Sequence, residues 1–391
     1  MADIDKKITE INKEIISLRR KFHQIPETSM QENQTAEIIA NYLDELGLKV
    51  RKNVGKTGVT AVLNGQREGR TLAIRSDIDA LPIEENTGLE FSSKHEGVMH
   101  ACGHDGHMAI VLGTAKVLSQ FVEEINGKVK FIFQPAEEEL VGAKAMLEDN
   151  VLQNPPVNAI LGLHIWPDIE SGFIGVRPGA VMAAVDKFEI ELVGKGGHGG
   201  IPHKAVDPVV MSSSLIDRIQ SVVSREIDPT QSAVITIGKI EGGTAYNIIP
   251  DRVKLAGTVR TFNQHVRNYI EEKIKKIVKN VAESFEGDYN LKFENKVPPV
   301  FNDQKLTENI IMHLQNLIGE SKVITDFDLS MGGEDFALYQ KRIPGTYLFL
   351  GTKNEKKGIT KPIYHPQYNI DEEILSLGIK ALSSFSMDYL K

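Results

Sequence analysis

Eight residues, HACGHDGH (100–107), bring three imidazoles, a thiol and a carboxylate together as His100, Cys102, His104, Asp105 and His107. A second group, Glu137, Glu138 and Glu139, follows the apolar run KVKFIFQ (128–134) and Pro135. Asp77 and Asp79 follow TLAIRS (71–76), and His164 closes NAILGLH (158–164). Singly, each has a structural reading. A lone cysteine is usually buried and inert. Consecutive glutamates suit a solvated helix start, and a histidine ending an apolar strand is commonly a hydrogen-bonded core residue. Together, thiol, imidazole and carboxylate are the ligand types of zinc, manganese or a related divalent ion. A structural zinc site is closed by Cys and His alone and has no use for a spare glutamate. In the pair Glu137–Glu138 one carboxylate can ligate metal while its neighbour faces water as general base. The residue types therefore predict a catalytic metal site.

The elements that must position these groups follow from periodicity. Ile8, Ile11, Ile15, Leu18 and Phe22 recur at helical spacing, and a second helix carries Ile39, Leu43 and Leu46 before Gly47. VTAVL (59–63), TLAIRS, KVKFIFQ and NAILGLH predict strands, Met108–Phe121 a helix and Leu140–Leu147 a short one. This alternation predicts a mixed, largely parallel sheet covered by helices, an α/β catalytic domain. In such sheets ligands gather beyond the carboxyl ends of strands, where Asp77, Asp79, Glu137, Glu138 and His164 fall.

Near residue 185 the pattern changes. DKFEIELVG puts Phe188, Ile190 and Leu192 on one face and charges on the other, so this strand has one solvated side. A helix from about Pro208 to Arg225, strands at AVITIGKI and RVKLAGTVRTF, a helix carrying Val266, Ile270, Ile274, Ile277, Val281 and Phe285, and a strand at YNLKFENK complete the order β-α-β-β-α-β. That order predicts an inserted ferredoxin-like α+β domain. A helix near Lys305–Ile318, a strand at TYLFLG and a closing helix from Asp371 restore the α/β character. The expected division is 1–184 and 300–391 for a catalytic domain in two parts, and 185–299 for an insertion.

Composition limits the function. At 391 residues the chain is too long for one ordinary core. The net charge of −8, spread without a basic cluster, argues against nucleic-acid binding. No apolar run approaches the roughly 20 residues of a membrane span, and a start charged from its third residue lacks a secretory signal. The single cysteine excludes an intrachain disulfide and fits a reducing, cytoplasmic setting.

SDIDALP, MHACGHDGH, FQPAEE, LGLHIWP, GKGGHGGIPH, GGTAYNIIPD, GGEDF and YHPQYNIDEE, in this order over nearly the whole chain, resemble the motif series of the aminoacylase–carboxypeptidase metallohydrolases. They are most similar to the subfamily of hippurate hydrolases, indole-acetyl-amino-acid hydrolases and N-acetyl-diaminopimelate deacetylases. The resemblance implies a metal-dependent amidohydrolase that cleaves N-acyl amino acids, with two divalent ions per subunit and an inserted lid through which subunits pair as a homodimer or larger homo-oligomer. It implies Cys102, His104, Glu138, His164 and His365 as metal ligands and Glu137 as general base. It further implies that His198 contacts the scissile carbonyl, with Asn247 and Arg260 holding the substrate carboxylate. Cys102 marks the subfamily, since the wider family has a carboxylate in that bridging position. Thiol and imidazole favour zinc on softness, whereas the subfamily resemblance favours manganese. Asp79 and Asp105 are candidates for orienting a ligand imidazole. His100, His107, Glu334 and Asp335 receive no role, and His23, His95, His265 and His313 are read as structural. A dipeptidase or carboxypeptidase with the same metal site is the alternative reaction. A catalytically silent metal-binding scaffold is the alternative class, disfavoured by the non-ligating glutamate.

Overall fold

The structure, a computed structural model, describes residues 2–391. It divides into two compact units. The first holds the chain up to Gly179 with Phe301–Asp328 and Asp335–Lys391; the second holds Ala180–Val300 and Leu329–Glu334.

In chain order the first unit begins with α1 (Ala2–Gln24), α2 (Asn33–Glu45), β1 (Lys49–Val54), β2 (Gly58–Asn64) and β3 (Arg67–Asp77). There follow α3 (His104–Leu118), β4 (Asn126–Gln134), α4 (Gly142–Glu148), β5 (Ala159–Glu170) and β6 (Ile174–Gly175), and β7 (Gly179–Met182) leads into the second unit. The second unit contributes β8 (Ala184–Val193), β9 (Gly197–His198), α5 (Pro208–Arg225), β10 (Ala233–Gly242), β11 (Ile248–Ile249), β12 (Arg252–Thr261), α6 (Gln264–Ser284) and β13 (Asp288–Val297). The chain ends with β14 (Val300–Asn302), α7 (Gln304–Ile318), β15 (Val323–Ile324), α8 (Ala337–Gln340), β16 (Gly345–Lys353) and α9 (Ile374–Tyr389).

The first unit is built on an eight-stranded sheet in the order β1-β2-β4-β3-β5-β16-β6-β15. β3 pairs parallel with both β4 and β5, and β5 pairs parallel with β16. β1, β2 and β4 are joined antiparallel at one side, so the sheet is mixed. Leu72 and Ile74 of β3, Val129, Phe131 and Phe133 of β4 and Leu161 of β5 are buried with the apolar stripe of α1 and with α3 and α9 in one core. Burying such side chains contributes about 1.5–3 kcal/mol each, which makes this core the rigid base of whatever sits on the strand ends.

Sequence periodicity missed β1, because KVRKNV has only two apolar residues, Val50 and Val54, and lies at the sheet edge with its other side chains exposed. It also started α3 too late: the helix begins at His104, four residues before Met108. Its start carries no Ser, Thr, Asp or Asn cap; instead Gly103 adopts the left-handed conformation at φ 88°. The glycine is needed on a second count, since a Cβ there would lie 3.1 Å from Tyr368 Oη.

In the second unit four antiparallel strands lie in the order β10-β12-β8-β13, with α5 and α6 as the two helices of the β-α-β-β-α-β path. Phe188, Ile190 and Leu192 of β8 pack with Leu215 and Ile219 of α5 and Ile270 and Ile274 of α6 in a separate core. Asp207 caps α5 through the N–H of Val209, and Pro208 occupies the first helical position. Among the described residues no helix is long and apolar enough to cross a membrane.

Candidate metal centre

Three segments of the first unit meet where β3 and β4 end and beside the middle of β5: the start of α3, the turn after β4, and His164, beyond which β5 runs on to Glu170 rather than stopping as the sequence suggests. His107, one turn into α3, fastens two of the strands. Its Nδ1 lies 2.7 Å from Asp77 Oδ1 at the end of β3, and its Nε2 accepts the Ile165 N–H of β5 at 2.8 Å.

His104 and His164 are both held in the ligand tautomer. His104 Nδ1 is 2.8 Å from the Asp79 carbonyl and His164 Nδ1 is 2.8 Å from the Ile165 carbonyl. A carbonyl can only accept, so each Nδ1 carries a proton and Nε2 is the nitrogen left to face a metal. Cys102 Sγ lies 3.5 Å from His164 Nε2. His104 Nε2 lies 3.8 Å from Glu138 Oε1, and neither of these buried atoms has a hydrogen-bond partner among the described residues.

The turn that presents Glu137 and Glu138 is tied down by two carboxylates. Ala136, at φ 50°, donates its N–H to Glu32 Oε1 at 2.9 Å. The next two amides, of Glu137 and Glu138, both donate to the Asp79 carboxylate at 3.1 Å, and Ser29 donates to it at 2.7 Å. Asp79 thus fixes His104 through its carbonyl and the glutamates through its side chain. Glu32 and Ser29 were not among the residues that sequence reasoning singled out. Glu32 lies 104 residues from its partner, and no motif links them.

Ligand atoms of Cys102, His104 and His164 lie within 4.8 Å of one another, as do those of His104, Glu137 and Glu138. His104 belongs to both groups. The electrostatics call for a cation. Burial, with Glu138, Glu137 and Asp77 nearby, pushes the Cys102 thiol well above its ordinary range. Burial pulls the His104 imidazole down, but Asp77, Asp79 and Glu138 override it and hold it at about 10. Burial likewise pushes the Glu138 carboxyl up, against the pull of His104. A divalent ion reverses this, keeping the carboxylates ionised and the thiol deprotonated. Orphaned Nε2 and carboxylate oxygens, two preset imidazoles and one thiol make a donor set that fits such an ion.

His365 is not in either group; its Nδ1 accepts the Gln367 N–H at 3.0 Å. Its neighbour Tyr364 does reach the cluster, donating its hydroxyl to Glu138 Oε2 and its N–H to the Ala101 carbonyl. Asp105 orients no ligand imidazole: its Oδ2 takes Arg19 Nε at 2.7 Å and His23 Nδ1 at 2.8 Å. His23 is therefore part of a buried charge network that braces the start of α3. His100 is fully enclosed and neither ring nitrogen has a partner among the described residues. Asp335 accepts from Arg75, Gln134 and the Ala143 N–H, joining β3, β4 and α4.

His198, Asn247 and Arg260 all belong to the second unit. His198 pairs with Ile248 in the β9–β11 ladder, and Gly199 donates its N–H to the Asn247 carbonyl at 2.9 Å. The exposed His198 ring accepts the Gly200 N–H on Nδ1 at 3.0 Å, which leaves Nε2 as the protonated nitrogen, a donor. Arg260 lies on β12, opposite Val185 of β8 and Val234 of β10.

The profile of peptidase family M20/M25/M40 matches residues 73–388. N-acetyl-L-cysteine deacetylase of Bacillus subtilis (strain 168) is 42% identical over 366 residues, covering 93% of this chain and 85% of that protein. Thermostable carboxypeptidase 1 of Saccharolobus solfataricus is 40% identical over 378 residues, 96% of this chain and 95% of the relative. A crystal structure of a dinuclear metal-binding M20 peptidase from Bacillus subtilis superimposes with a TM-score of 0.86 at 36% identity, covering 98% of this chain and 99% of that one.

Proposed function

Because the chain belongs to peptidase family M20/M25/M40 and is a hydrolase of that family, we propose that it hydrolyses the amide bond of an N-acyl amino acid, releasing a carboxylic acid and the free amino acid. The observation that carries this reading is the convergence of Cys102, His104 and His164 with Glu137 and Glu138 around one shared imidazole.

Cys102, His104, Glu138, His164 and His365 would hold two divalent ions, manganese or zinc, which lower the pKa of water and polarise a carbonyl oxygen when bound. Ligation through His365 Nε2 requires its Nδ1 to exchange the Gln367 contact for a role as donor. Glu137 takes the proton of the attacking water and returns it to the leaving amine. The Nε2–H of His198 donates to the carbonyl oxygen as negative charge develops there. Arg260 offers a planar fork to the substrate carboxylate and Asn247 a side-chain amide.

The subunits pair through the inserted unit, which places His198 in the reaction of its neighbour. Exposed Ile201, Val209, Ile240, Tyr246 and Ile248, all in the second unit, support such a contact. The lone cysteine accords with a cytoplasmic enzyme.

A carboxypeptidase reading is favoured by one observation, the 40% identity to the carboxypeptidase of Saccharolobus solfataricus. Initial rates on N-acetyl and N-benzoyl amino acids and on dipeptides, with each ion restored to metal-stripped protein, separate the two. Higher kcat/KM on the N-acyl compounds is expected; a preference for dipeptides overturns the assignment.

A further inference from the structure

Away from the strand ends, the antiparallel side of the large sheet carries a second site. Lys49 of β1 lies opposite Val62 of β2, and Val62 lies opposite Lys130 of β4, so the three form one row across the strands. One row on, Arg51 faces Thr60, and on the other side Asn64 faces Lys128. Residues paired across strands point to the same face, so four cations from two strands rise around Val62. They line a cavity of about 600 Å³ whose far wall is Val151, Pro155 and Pro156.

Among the described residues no carboxylate neutralises these charges, although Arg51 donates to the Asp149 carbonyl at 3.4 Å. No carboxylate lines the cavity, and among the described residues none of the four cations forms an ion pair. Lys130 is the telling member. Its side chain is buried, and its Nζ, with three hydrogens to donate, bonds the Gln153 carbonyl at 2.8 Å. Burial, then Arg51, pull that ammonium down to about 8. A buried ammonium beside a guanidinium, without a counter-charge, is costly unless an anion completes it.

We propose that this cavity binds a small polyphosphate anion, held by Lys49, Arg51, Lys128 and Lys130. Two phosphate groups, at about −1.5 to −2 charge each near neutral pH, balance the four cations, whereas one carboxylate would not. Arg51 adds a fork that matches a phosphate edge. A nucleic acid is disfavoured by the net charge of −8. The site is independent of the metal chemistry proposed above, because it shares no residue with it.

Equilibrium dialysis of the metal-loaded protein against radiolabelled pyrophosphate tests the proposal. Lys49→Ala/Arg51→Ala alters two exposed side chains and should weaken binding about tenfold or more. Lys130→Met, which keeps the length and removes the charge, should do the same. Glu138→Gln should leave this component of binding unchanged. Citrate, a carboxylate anion of similar charge, should compete at least about tenfold more weakly than pyrophosphate. Three results overturn the proposal: no saturable binding, binding unaltered in Lys49→Ala/Arg51→Ala, or citrate competing as well as pyrophosphate.

Discussion

Cys102 Sγ lies 3.5 Å from His164 Nε2, although 62 residues separate them in the chain. A tetrahedral zinc ion with bonds of about 2.3 Å to sulfur and 2.0–2.1 Å to nitrogen spaces those two ligands about 3.6 Å apart. The pair is thus set at the distance that one ion would bridge. Cys102→Ser should weaken metal retention, because a hydroxyl is a poorer ligand than a thiolate. Metal analysis of the purified variant after dialysis checks this; an undiminished two ions per subunit would remove Cys102 from the ligand set.

Asp79 makes a second prediction. Its carboxylate accepts the N–H groups of Glu137 and Glu138 and the hydroxyl of Ser29. Asp79→Asn sets an NH2 against at least one of these donors, which costs about 1–3 kcal/mol for each buried group left unpaired. Both kcat and thermal stability should fall. If stability alone fell and kcat held, the turn would not depend on Asp79 for its catalytic geometry.

For the substrate carboxylate, Arg260→Lys keeps the charge and loses the planar fork, so kcat/KM on free-carboxylate substrates should drop. A substrate with that carboxylate amidated should be poor for the wild type and nearly indifferent to the change. Equal losses on both would make Arg260 a structural residue of β12.

Mixing subunits tests whether His198 serves its neighbour. In a dimer of Glu137→Gln with His198→Ala, the site on the His198→Ala subunit keeps its own Glu137 and borrows His198 from its partner. Random one-to-one exchange makes half the dimers mixed, each with one good site in two, so about a quarter of wild-type activity should return. Demonstrated exchange with no recovered turnover would mean that His198 acts within its own subunit.

Much of this fold and site was legible from residue order, and the omissions have physical causes. Strands β3, β4 and β5 each bury an apolar face and could be read from Ile74, Phe131 and Leu161. β1 was hidden because its outward residues are charged. The ligand types around Cys102 and His104 stood out by local density. Glu32, which ties the glutamate turn, did not, since it acts through a backbone amide that any residue could supply; Asp79, read as a candidate for orienting an imidazole, holds His104 through its carbonyl. Asp105 looked like a ligand-orienting group because it adjoins His104, but on a helix adjacent residues point apart, and it turns to Arg19 and His23 instead.

The central claim is that Glu137 moves the proton while its neighbour Glu138 holds metal. Glu137→Gln keeps shape and removes the base. Steady-state turnover of an N-acyl amino acid, measured beside the metal content of the same preparation, tests this most directly. Full metal content with kcat reduced by about 10²–10⁴ is expected. Turnover within a few-fold of wild type, in protein that retains its metal, would contradict it.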